Sequence, residues 1–155
     1  MNAPAKDDKE LQERLQKLMT REIGLMRELH SSMQQEQDSL LHSDTKRLQA
    51  VMQERETLVE VMLEVRNQRI DTLRALATSI GEMDEKQTEL TEEACHAVLE
   101  RFASEQSCEV LILRDQMLSL LEAMTTQVNR NSYLLQAKVK STRQLIHRLN
   151  PDDPN

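Results

Sequence analysis

Glu92, Glu93 and His96 are the residues whose spacing comes closest to a reactive site. On a helix, steps of three and four bring them to one side, where two carboxylates and an imidazole resemble half of a carboxylate-bridged metal centre. No second Glu-x-x-His supplies the other half, and acids at this position equally suit the positive start of a helix. Cys95 and His96 are neighbours, so a helix points them about 100° apart, too far to share an ion unaided. His30, His42 and His147 are scattered. Cys95 and Cys108 have no CxxC or metal-like spacing and read as two buried thiols in a reducing compartment. A Gly-rich phosphate loop, an HExxH and a GxSxG are all missing from the sequence. The expectation is a protein that is not an enzyme and needs no metal or cofactor.

Binding is the chemistry that remains. No acidic side chain occurs from Ala123 to Pro151, although the whole chain carries a net charge of -7. The stretch also holds Asn131, the only tyrosine (Tyr133), and a wide set of apolar positions, as a surface for another protein would. Overall acidity argues against a nucleic-acid partner. The longest apolar run, about four residues from Val110 to Leu113, rules out an inserted span. The first residues lack the apolar core of a signal, so a cytoplasmic location is expected.

These groups must be positioned by helices. The 155 residues include two Gly, no Trp, one Phe and nine Met, and three prolines confined to Pro4 and the tail. Good helix formers dominate, and too few β-branched and aromatic residues remain for a sheet. The reading is all-α: one helical domain, an elongated antiparallel three-helix bundle or coiled coil with a short connecting helix. Helices are predicted at about 8–41, 45–80, 91–103 and 106–149, with a disordered tail over 150–155. Asp44 offers an N-cap for the second helix, and Gly81 a left-handed residue after its end. Folding the first two helices back on each other places Glu22 level with Arg66, a possible register-setting pair; snorkelling of both to solvent is the competing reading. Thr91 begins the connecting helix, and Ser104 to Ser107 supplies its interruption, because serine competes for backbone hydrogen bonds. Whether that interruption is complete stays open.

In the last helix, Leu118, Leu121, Val128, Leu135, Val139, Ile146 and Leu149 occupy a and d heptad positions and are expected to hold the bundle together. A bundle core does not need the additional row Leu113, Leu120 and Leu134, which lies about 100° from d. With Met117, Met124, Asn131 and Leu135, that shoulder forms the expected partner surface, Asn131 bonding the guest backbone and the methionines giving a deformable wall. Methionines at helical spacing also fill ordinary cores, and the short helix could cover part of the row. Tyr133 points outward, as plain surface or as a contact anchor.

The order helix, hairpin, helix, corner, long helix resembles the FlgN family of flagellar export chaperones. So do Asp44-Thr45-Lys46-Arg47-Leu48 at the hairpin, and Asn131-Ser132-Tyr133-Leu134-Leu135, similar to the family's "N-G-x-L-L" with Ser132 in place of Gly. The family's second Asn three residues earlier is Val128 here. The resemblance implies a cytoplasmic chaperone, monomer or weak homodimer, for the C-terminal segments of hook–filament junction proteins. It would hold Leu113, Met117, Leu120, Met124, Asn131, Leu134 and Leu135 against cargo and offer Tyr133 to the export gate or ATPase components. A structural coiled-coil protein that self-associates through the same stripes is the alternative.

Overall fold

A computed structural model describes residues 6–104 and 108–152. Four helices follow in order: α1 (Lys6–Leu41), α2 (Thr45–Ser79), α3 (Glu92–Ser104) and α4 (Cys108–Leu149), with no strand among the described residues. The fold is an all-α helical bundle. Most of the predicted interruption, residues 105–107, and residues 153–155 of the predicted tail lie outside the described residues.

Local sequence sets the ends. Asp44 caps α2 by accepting the Arg47 amide at 3.1 Å. Just before it, Ser43 sits at φ 53, and the Asp44 amide reaches back to the Ser39 carbonyl at 2.9 Å. A left-handed residue followed by this 6→1 bond closes a helix, normally with glycine. Ser43→Gly should therefore stabilise the protein by roughly 0.5–1 kcal/mol, read as a raised urea midpoint at unchanged slope. Gly81 plays the same part after α2, at φ 80: its own amide bonds the Thr78 carbonyl and the Glu82 amide bonds that of Ala77. At α3, Thr91 Oγ1 accepts the Ala94 amide at 3.1 Å, with Glu92 and Glu93 in the first turn.

α1 is the central element. α2 runs antiparallel to it, tied by Ser79 to Asp8 at one end and Arg47 to Asp38 at the other. Midway, Arg69 clamps Glu22 through Nε to Oε2 at 2.5 Å and Nη2 to Oε1 at 3.2 Å. The partner of Glu22 is thus Arg69, one turn beyond the expected Arg66, which is exposed. α4 packs on another side of α1 and runs parallel to it, with Val110 near Leu15, Asn131 at Met33 and Lys138 at Ser43. Among the described residues no Cα of α2 comes within 8 Å of one of α4. The three long helices therefore form a bundle open on its α2–α4 side.

Apolar burial is concentrated at the closed end. There α3 bridges α2 and α4, and Ala94, Val98 and Phe102 join Leu15, Leu76 and Val110 in the main core. A smaller cluster follows around Met26, Leu29 and Met124. Toward the hairpin the interior turns polar. Arg55 meets Glu36 and Ser32, and Gln127 donates to Gln37 Oε1 at 2.6 Å.

Candidate functional site

α4 turns a different side to α1 than its heptad predicts. Val110, Met124, Gln127 and Asn131, at g and c positions, are the buried ones among its described side chains. The a and d residues expected to hold the bundle are exposed instead: Leu118 56%, Leu121 49%, Val128 46%, Leu135 49%. The apolar arc of α4 spans four heptad rows, about 150°, and α1 covers only the half that also carries Gln127 and Asn131. Those two amides match the polar distal part of α1, which fixes the choice.

The uncovered half forms one wall of a trough. At its closed end is a cavity of about 290 Å³ with Leu15 and Met19 of α1 as floor and Leu99 of α3 as end-stop. Arg69 and Leu73 of α2 face Leu118 and Leu121 of α4 across it. From there the d row continues on α4 as Val128 and Leu135. On α2, heptad spacing carries the Leu73 row through Arg66 to the exposed Val59 and Met52. The hydrogen-bonded pairs set Val59 roughly level with Val128, and Met52 with Ser132 and Leu135. Two walls, apolar but for Arg66 and Arg69 on α2, over a floor that is apolar at the closed end and polar toward the hairpin have the shape that a fourth amphipathic helix fills.

The expected shoulder divides. Asn131 Nδ2 donates to the Met33 carbonyl at 2.8 Å, and its Oδ1 accepts from Gln127 at 2.9 Å, so its amide serves the α1–α4 contact. Met124 is buried, and Met117 fills space in both clusters. Leu113 and Leu120 are half-buried beside shallow grooves on the opposite flank of α4, near Thr20 and Arg27. Leu134 is half-buried; Leu135 lies exposed on the trough wall and Tyr133 is 72% exposed, pointing outward. Met52, Val59 and Leu73, spaced by heptads on α2, were not among the residues that the sequence singled out.

The remaining chemistry is sparse. His96 pairs with Glu100 at 3.0 Å, both well exposed, and no three His, Cys, Asp or Glu among the described residues are placed to hold a metal ion. Cys95 is half-buried beside the cavity; burial pushes its thiol up, the Arg69 guanidinium pulls it partly back, and Glu92 adds to the rise. No described helix is long and apolar enough to cross a membrane.

The FlgN protein family model matches residues 1–154. The chain belongs to the FlgN family. Membership supports a general role as a flagellar export chaperone, a class whose work is binding protein and not catalysis, and an open helical bundle is compatible with it. No curated protein and no solved structure matches the chain.

Proposed function

We propose that this FlgN-family chain is a cytoplasmic chaperone that binds the C-terminal amphipathic segments of hook–filament junction proteins, prevents their premature assembly and delivers them to the export apparatus. The observation that carries the reading is the α2–α4 trough, whose closed end is an apolar cavity formed by all four helices and left open between α2 and α4. A disordered segment that folds into it as a helix gains apolar burial at an ordering cost of several kcal/mol, which keeps the complex reversible for hand-over. Leu118, Leu121, Val128 and Leu135 line the guest site. Met117 supports it from below, and Met124 and Asn131 reach a guest only if α4 parts from α1. Tyr133, on the far side, is free to contact export machinery while cargo is bound.

Titration calorimetry with a synthetic C-terminal peptide of a hook–filament junction protein tests this. Leu121→Asp/Val128→Asp is expected to weaken binding on the order of 100-fold, since a desolvated carboxylate on the wall is left unpaired. The exposed sites leave the helical melt unchanged. Bound peptide should also slow alkylation of Cys95 in a Cys108→Ser background. Loss of binding in Leu120→Asp but not in the trough variant would place the guest on the other flank of α4. A stable homo-oligomer of the pure chain, dissolved by Leu121→Asp, would instead favour the self-associating coiled coil.

A further inference from the structure

Past the hairpin, α4 runs on alone. Lys138 Nζ donates to Ser43 Oγ at 2.7 Å, at the turn where α1 ends and α2 begins, and every residue from 139 to 150 is exposed. This segment, about 16 Å of helix, is amphipathic. Val139, Leu145, Ile146 and Leu149, exposed by 42–75%, fall within an arc of about 120°. Lys140, Arg143, His147 and Arg148 take the opposite side, and no acid lies within the segment. Along the body of α4 the g row faces α1; here its member Leu145 has nothing beneath it. The apolar arc is therefore wider than the two-row seam that one partner helix covers, and the trough that could seat a helix has ended at the hairpin.

We propose that residues 139–149 are a peripheral docking face for an anionic lipid surface. The segment would lie in the headgroup plane, its apolar arc at the acyl boundary and its cations toward phosphates, without crossing the bilayer. The acids closest to it, Asp38 and Asp44 at the hairpin and Asp152 and Asp153 just after it in sequence, are outnumbered by Lys46, Arg47, Lys138, Lys140, Arg143 and Arg148, and the chain's larger negative charge is remote. Its most acidic stretch, residues 82–109, lies at the α3 end, about 44 Å along α4, several times the Debye length of about 8 Å at physiological salt. One short amphipathic segment gives weak, reversible attachment, which suits a carrier that must come and go. The inference is independent of what occupies the trough.

Co-sedimentation of the full chain with vesicles tests it. Vesicles of equal phosphatidylglycerol and phosphatidylcholine should bind on the order of 100-fold better than phosphatidylcholine alone, given the attraction of each Lys or Arg to an anionic surface. Binding should be lost in Lys140→Glu/Arg143→Glu/Arg148→Glu, in Ile146→Asp/Leu149→Asp, and at 1 M salt. The trough variant Leu121→Asp/Val128→Asp should bind vesicles like the parent, which separates this face from the guest site. All substituted positions are exposed, so unchanged thermal melts are expected. No preference for the anionic vesicles, or retention by Ile146→Asp/Leu149→Asp, overturns the proposal. So does binding of a Glu/Leu-rich amphipathic peptide to this segment where vesicles fail, which would give the face to a protein partner.

Discussion

Replacing Phe102 with alanine should cost about 3–5 kcal/mol, a large share of the roughly 5–15 kcal/mol that holds a domain of this size folded. The ring is 1% exposed and lies where all four helices contribute to one cluster, with Leu15, Leu76, Val98 and Val110 among its members. No other aromatic ring is in that core, since Tyr133, the chain's other aromatic residue, is exposed. A 13-residue helix such as α3 is marginal alone and depends on such contacts. The loss should therefore appear first as faster hydrogen exchange across α3, and globally as a lower urea midpoint. Phe102→Leu, which keeps most of the volume, should cost much less. Tyr133→Ala should stay within about 0.5 kcal/mol of the parent. A Phe102→Ala cost below about 1 kcal/mol would mean that α3 is not anchored as described. The trough is affected too, because α3 supplies its end-stop at Leu99.

The contrast between Phe102 and Tyr133 illustrates what the sequence makes legible. Punctuation and composition locate the helices: Asp44, Gly81 and Thr91 act through bonds that depend on their own neighbours, so a local reading finds them. The sidedness of α4 is different. Its pattern contains an apolar arc of four rows, and periodicity reports the arc without saying which half meets α1. The decision rests on Gln127 and Asn131 finding Gln37 and the Met33 carbonyl, residues about 90 and 98 positions away. A local reading assigns the more regular a and d rows to the interior, and so reverses core and candidate site. The trough shows the same limit, because Met52 and Val59 look like core residues until α4 is seen to stand off from α2. Glu22 is an intermediate case. Its position in a seam marks it as needing a cation, but the hairpin offset that selects Arg69 over Arg66 is one turn, finer than counting residues from a turn can fix.

That buried pair carries the second large effect. Arg69→Met leaves the Glu22 carboxylate, 7% exposed, without its two guanidinium bonds, and should destabilise the protein by about 3–5 kcal/mol. Glu22→Gln should cost less, because the Arg69 side chain is 21% exposed and can turn toward water in the trough. Glu22→Leu/Arg69→Met removes both charges and should return close to parental stability or exceed it, since desolvating two ions offsets most of their attraction. Urea unfolding of the parent, Glu22→Leu, Arg69→Met and Glu22→Leu/Arg69→Met gives the coupling energy directly. Additive single effects, or a double variant as unstable as Arg69→Met, would contradict this account. The pair's contribution is then not net stability but alignment. A one-turn slip of α2 in one direction would strand Glu22 and in the other would offer it Arg66, and either would carry Met52, Val59 and Leu73 out of level with the α4 wall. On that argument, Glu22→Leu/Arg69→Met should fold well yet bind the trough peptide more weakly, and equal affinity would show that other contacts set the register.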